Sequence, residues 1–330
     1  MSTETAVAQE MGERLRQRRA ARAWLLRQLA DEGFIVVLLL WVVYLAIATA
    51  NFATLSNLLL VVSQAAIYAI VAIGTTLVVL LGELDISFGS VISLAGCVAA
   101  NAVVGGAGVA GGIAVGVGIG LLFGAVNGVM VTYLRIPSVV TTLATMGAGA
   151  GLAALYSGGT TIFGNGLDAI GFLTQGTTAG IPDVAVLALV LYLISWVILT
   201  KTRAGAHLYA TGDNEQAAFR CAINVRRIRM VVFIVAGGLA GLGALLQAAQ
   251  LGQATSDMGT GALFPVLTAV ILGGISISGG RGKIVNTLVA CIFLASITNG
   301  LILLGVDPTV QQIVQGAVLA LAVSLDRLRR

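Results

Sequence analysis

Lys201–Arg229, KTRAGAHLYATGDNEQAAFRCAINVRRIR, is the one long hydrophilic stretch inside an otherwise apolar chain. It holds six of the eighteen Lys and Arg residues, Asp213, Glu215 and the single histidine, His207. Charged groups are costly in hydrocarbon, so an island of this kind between apolar spans lies in water or against a soluble partner. The reading adopted is that it docks another protein. The rest of the chain sets that context: 330 residues, 58% hydrophobic and 10% charged, with a mean hydropathy of +1.01. Soluble domains carry about 25% charged residues, which excludes an ordinary soluble globule.

Apolar runs recur along the chain, each long enough to cross a hydrocarbon core of about 30 Å as a helix. Backbone polar groups in lipid must be paired internally, which calls for helices or closed barrels. The runs are continuously apolar and do not alternate with a period of two, so a barrel is disfavoured. The expected fold is therefore all-α, a polytopic membrane bundle of about ten transmembrane helices. The spans fall near Phe34–Ala50, Leu58–Leu81, Val91–Val104, Val109–Thr132, Val139–Tyr156, Val184–Thr200, Met230–Gln250, Ala262–Ile275, Ile284–Leu304 and Thr309–Leu325. The chain then divides into a polar N-terminal segment (1–33), a transmembrane domain (34–326) containing the cytoplasmic loop 201–229, and a short tail (327–330).

Charge tests this count independently. With the N-terminus in the cytoplasm, alternation through ten spans puts 1–33, 82–90, 133–138, 201–229, 276–283 and 326–330 inside, and these segments hold all eighteen Lys and Arg residues. The outer loops hold only acids: Asp168, Asp183, Asp257 and Asp307. A wrong count scatters the positive residues over both faces, against the positive-inside rule. Both termini are then expected in the cytoplasm, and the chain is expected to cross a membrane many times. The basic residues are accounted for by topology, so the net charge of +4 does not suggest nucleic acid. No cleavable signal peptide is evident, and Leu15–Leu29 has the pattern of a basic amphipathic helix lying on lipid. An unstructured tail up to about residue 20 fits equally well.

The 43 glycines and 4 prolines point to close helix contact, clearest at Gly105–Gly120 and Met146–Gly151. Cys97, Cys221 and Cys291 are widely spaced, with no metal or disulfide pattern. His207 has no nucleophile partner, and SGGRGK (278–283) lacks the spacing of a phosphate-binding loop. No catalytic set and no cofactor site follow.

Glu83 and Asp85 close a long apolar run, and ionisable residues at such depth are functional candidates by default. Three readings stay open for them: lining a polar path, capping a broken helix, or exposure at the interface. Asp85 or Ser87 suits the cap of the following helix. LGELDISFG (81–89) and LGGISISGG (272–280) look alike, through either internal duplication or shared turn chemistry. Gln64, Glu83, Asp85, Ser87, Asn127, Thr141, Thr142 and Asn299 are candidates for a substrate path, although most such residues make interhelical hydrogen bonds.

GELDISFGSVISLAG (82–96), TGDNEQAAFRCAINVRRIRMVVFIVAGGLAGLGALL (211–246), LTAVILGGISISGGRGKI (267–284) and NGLILLGVDPTVQQIVQGAVLALAV (299–323) resemble the membrane permease of ribose-type carbohydrate ABC importers. The resemblance covers nearly all of 55–326 and is specific for the family, not for the sugar. It implies a second permease copy or paralogue, cytoplasmic ATPase subunits that hold the ATP and Mg, and a periplasmic or lipid-anchored sugar-binding protein. In such importers a short cytoplasmic helix of the permease sits in a cleft of the ATPase. The matching segment here is Gly212–Val225, with Asp213, Asn214, Glu215, Ala217, Ala218, Arg220 and Asn224 as coupling residues. The residue chemistry agrees. Asp213 or Asn214 is a fitting N-cap. Glu215 falls in the favourable first turn. Ala217, Ala218, Cys221 and Ala222 are small enough for close docking, and Asn224 suits the helix end. The arginines flanking the segment, including Arg229, read as topology determinants. The competing reading is a stand-alone secondary transporter or channel that uses Glu83 and Asp85 for ion coupling, which leaves the basic loop unexplained.

Overall fold

The computed structural model describes residues 38–164, 167 and 170–329. The amphipathic N-terminal segment, the beginning of the first expected span and Asp168 lie outside the described residues. Each expected span corresponds to a helix. In chain order these begin with α1 (Leu38–Ala48), α2 (Leu55–Leu80), α3 (Phe88–Ala102), α4 (Gly108–Thr132) and α5 (Ser138–Ser157). A one-turn helix, α6 (Phe172–Gln175), and the two-residue strands β1 (Thr177–Thr178) and β2 (Ile181–Pro182) lead into α7 (Asp183–Lys201). The hydrophilic island forms α8 (Arg203–Asp213) and α9 (Glu215–Arg220). The chain ends with α10 (Val225–Leu251), α11 (Thr260–Leu272), α12 (Ile284–Leu303) and α13 (Pro308–Arg329). The protein is thus an all-α membrane protein. Among the described residues six helical stretches are long and apolar enough to cross a membrane, Phe88–Thr132 being taken as one.

Local sequence explains the boundaries. Thr54 caps α2 by accepting from the Asn57 N–H, and Asp307 stands before α13 and accepts from the Thr309 N–H at 2.7 Å. That exposed bond holds the Asp307 carboxyl below its ordinary range. Gly106 takes φ 93° in a π-turn between α3 and α4, so the long apolar stretch folds back as two helices packed on each other. The eighth span, expected to be a shorter one at about Ala262–Ile275, is short. With 13 residues, α11 is about 20 Å long, less than the hydrocarbon thickness. The chain beyond it, 273–283, is irregular, with Gly273, Ile275 and Gly279 buried and Ser278, Arg281 and Lys283 exposed.

The core is built on α10, which packs against α2, α3 and α4. Gly112, Gly116, Gly120, Gly124 and Gly128 form a four-residue stripe on α4 facing Phe233, Gly237, Gly241 and Leu245 of α10. A Cβ added at Gly116 would lie 2.9 Å from the Gly241 carbonyl oxygen, so the two backbones touch. This is the contact the glycine count pointed to. In the second glycine run only Gly149 makes such a contact, its would-be Cβ lying 2.6 Å from Ser90 Oγ of α3, while Gly147 and Gly151 on α5 have nothing within 4 Å.

Four of the segments assigned to one side by charge, 82–90, 133–138, 201–229 and 276–283, meet at one pole. The Gly280 N–H donates to the Leu80 carbonyl at 2.9 Å, the Leu84 N–H to Ser138 Oγ at 3.1 Å, and Tyr209 Oη to the Gly282 carbonyl at 2.9 Å. At the other pole Ile162 and Ala254 exchange both backbone hydrogen bonds, tying the loop after α5 to the loop after α10.

Candidate functional site

At the basic pole, α8 buries Gly205, Leu208 and Thr211 at helical spacing, and Thr202 caps it. Gly212, in its last turn, lies directly on the Leu80 carbonyl and 2.7 Å (from its would-be Cβ) from the Gly280 nitrogen, so no larger residue fits. The two look-alike motifs therefore pack directly on each other, with Gly212 of α8 against both. They share a turn: Gly82 N–H bonds Val79 and Glu83 N–H bonds Val78, while Gly274 bonds Ile271 and Ile275 bonds Val270. The left-handed glycine is Gly82 in one and Gly274 in the other, one residue out of step with the sequence match, and Gly158 and Gly305 end α5 and α12 the same way. Shared turn chemistry is enough to explain the likeness.

The short helix α9 follows at once. Asn214 caps it through Oδ1, accepting from the Ala217 N–H at 2.9 Å, and Glu215 occupies its first turn, with Arg220 in the last. Ala222 at φ 61° reverses the chain after it. Asn224 caps the next helix, α10, through the Arg227 N–H at 3.0 Å; it does not end the coupling helix as the sequence suggested. Ala218 is buried, so it packs inward and is unavailable for docking. Ala217, Cys221 and Ala222 are exposed, and so is Phe219, at 74%. Arg229 is no mere topology marker. Its Nη2 donates to Glu215 at 2.9 Å, and its Nε lies 3.0 Å from Glu83 Oε1 without hydrogen-bond alignment. Asp213 and Arg281 form a looser, exposed pair at 3.9 Å. Beside these groups opens a cleft of about 1600 Å³ lined by Glu83, Arg135, Pro137, Glu215, Phe219 and Arg229, among others.

Behind the pole lies a buried polar chain. Asp85 accepts from the Ser87 N–H at 2.8 Å and from Ser87 Oγ at 2.6 Å. Ser87 therefore spends its hydroxyl on Asp85 and makes no side-chain cap to α3. Asn127 donates to Ser87 Oγ at 2.9 Å, and Thr145 donates to Asn127 Oδ1 at 2.7 Å. Asp85 sits in the loop between α2 and α3. Burial pushes its carboxyl up, and the Ser87 donors pull it back. Thr142 donates to the Ser138 carbonyl at 2.8 Å, whereas the buried Thr141 hydroxyl has no partner.

Gln64 and Asn299 are elsewhere, on the α2–α12 contact toward the opposite pole. Asn299 and Asn57 exchange amide hydrogen bonds at 3.0 and 2.8 Å, and Gln64 flanks Tyr68. The path candidates thus form two separate clusters: Asp85, Ser87 and Asn127 with α5, and Gln64 with Asn299. Asn299→Leu is expected to cost about 1–3 kcal/mol by leaving Asn57 Oδ1 without its donor, while Asn57 Nδ2 keeps the Phe52 carbonyl. The Asn57→Leu/Asn299→Leu pair should recover part of that loss. Thermal unfolding in detergent reads both, and a double variant as unstable as the sum of the singles contradicts the pairing.

A family model described as "Branched-chain amino acid transport system / permease component" matches residues 57–323. The ribose import permease protein of Escherichia coli strain K12 is 34% identical over 312 residues, covering 94% of this chain and 96% of the relative. This chain is a member of the ribose-type ABC importer permease family. The D-allose transport system permease protein of the same strain is 29% identical, covering 89% of the permease described here and 90% of its own length. The autoinducer 2 import system permease protein of Yersinia pseudotuberculosis is 34% identical over 86% of this permease and 81% of the relative. No solved structure matches it.

Family membership fits the geometry at the basic pole. Sequence reasoning reached the capped helix of this permease from Asn214 and Glu215, since both signals are local. It missed Phe219 and Arg229. An aromatic residue in an otherwise polar segment was the available sign for Phe219. Nothing in the sequence marks Arg229 off from Arg226 and Arg227 beside it, because only the fold brings Glu83 to it.

Proposed function

We propose that this permease translocates a sugar or related polyol across a bacterial inner membrane, driven by ATP hydrolysis on a separate subunit. The observation that carries the reading is α9: a capped, six-residue helix with Phe219 exposed, beside a cleft at the pole where the basic segments meet. Its relatives' names supply the substrate class: a ribose permease, an allose permease and an autoinducer 2 permease. In this reading the basic pole faces the cytoplasm, both termini lie there, and ten helices traverse the membrane, with α11 and its irregular extension forming one crossing. The ATPase receives α9, with Phe219, Arg220 and Ala217 in contact and Asn214 and Glu215 holding the helix in shape. A second permease copy or paralogue and an external sugar-binding protein complete the assembly. The chain holds no ATP itself; its work is mechanical.

Ion coupling through Glu83 and Asp85 is poorly supported, because Glu83 is engaged by Arg229 and Asp85 by Ser87. The test is uptake in proteoliposomes of the permease with its ATPase and binding protein, using a labelled panel of ribose, allose, other pentoses and hexoses, and inositol. ATP-dependent uptake of a panel member that survives collapse of ion gradients is expected. Uptake that persists without the ATPase and stops with the gradient refutes the reading.

A further inference from the structure

We propose that Arg229 is a positioning residue that passes movement of α9 to the buried polar chain of α3, α4 and α5. The proposal rests on the reading of α9 as the ATPase contact and adds the route by which its movement leaves the pole. Arg229 stands in the first turns of α10 with a side chain only 14% exposed, between two carboxylates from different parts of the chain. One, Glu215, belongs to α9 and is 55% exposed; the other, Glu83, belongs to the α2–α3 loop and is 17% exposed. The planar guanidinium suits this double engagement, since its donors point in fixed, divergent directions.

Glu83 is the first residue of a short segment bonded at almost every position. Leu84 gives its N–H to Ser138 Oγ at 3.1 Å and takes the Thr142 hydroxyl at 3.3 Å, both from α5. Asp85 takes both Ser87 donors, Ser87 takes Asn127 of α4, and Asn127 takes Thr145 of α5. A displacement of Glu83 therefore cannot stay local: it breaks or drags bonds to three helices. The Arg229–Glu83 contact is the unaligned one, charge against charge without hydrogen-bond direction, whereas the Glu215 contact is aligned. The guanidinium can follow Glu215 while keeping its attraction to Glu83.

Spatial adjacency alone does not establish coupling, so the test is a mutant cycle. It uses the full reconstituted complex and the panel sugar that the unaltered complex takes up. The readouts are uptake per ATP hydrolysed, membrane level and co-purification of the ATPase. Arg229→Lys keeps the inner positive charge but loses the fork, and is expected to lower uptake per ATP by about tenfold. Glu83→Gln is expected to do the same. Both should keep the ATPase bound. Glu83→Gln combined with Glu215→Gln should be no worse than the worse single, because both cut one connection. Wild-type uptake per ATP in Arg229→Lys overturns the proposal, as a topological charge is satisfied by lysine. Losses that multiply in the double variant, or loss of ATPase binding in Arg229→Lys, also overturn it. An unaltered complex that takes up no panel sugar defeats the underlying import reading, and this proposal with it.

Discussion

Gly120→Leu is expected to leave almost no folded permease in the membrane. The Gly120 Cα lies against the Gly237 carbonyl of α10, and the nearest atoms to an added Cβ are Gly237 and Gly241 backbone. Backbone cannot rotate out of the way as a side chain does, so the helices must separate along the stripe from Gly112 to Gly128. Overpacking in a tight core costs about 1–3 kcal/mol, and backbone contacts lie at or above the top of that range. α10 also carries the packing of α2 and α3, so the loss spreads. Monodispersity in detergent and membrane level measure it. Gly151→Leu is the control: nothing lies within 4 Å there, and the subunit should fold normally. Equal behaviour of the two variants refutes the role given to the α4–α10 crossing.

Phe219→Ala is expected to have the opposite profile, with normal folding and no productive ATPase contact. Phe219 is 74% exposed on a helix held by the Asn214 cap and the Arg229–Glu215 bond, so its removal leaves the chain's own packing intact. Buried aromatic anchors at interfaces are worth about 2 kcal/mol or more, close to a thirtyfold loss of affinity. ATPase co-purification and uptake should both fall by that order, at unchanged membrane level. Wild-type co-purification would place the docking face elsewhere. Ala218→Trp is not an equivalent probe. Ala218 is buried, so the indole would displace α9 itself and confound docking with misfolding.

The all-α architecture was legible because membrane helices satisfy their own backbone groups, so hydropathy and charge asymmetry suffice to find them. Helix positions along the chain agree with the expected spans to within about five residues, and the start of α10 departs most, at Val225 where Met230 was expected, because the Asn224 cap opens the helix in a charged turn that hydropathy leaves out. At the end of α11 the apolar run continues into irregular backbone, and hydropathy does not distinguish the two. The Asn214 cap was legible as one of two candidates with Asp213, since a cap needs only its own next turn, whereas the caps at Thr54 and Thr202 were not singled out. Asn224 was misread because a capping residue between two helices serves either neighbour, and the left-handed turn at Ala222 decided which.

Charge and capping act over a turn or less, so the residues of Lys201–Arg229 alone mark a solvent-side segment carrying a short capped helix. What that helix is attached to follows from the packing of the whole bundle. Residues 83, 215 and 229 are brought together by helix packing, as are Gly212 with the ends of α2 and α11, and the inward face of Ala218. Such pairings depend on which helix faces which across the bundle. That choice is made by glycine-mediated backbone contact between α4 and α10, and composition carries no address for it.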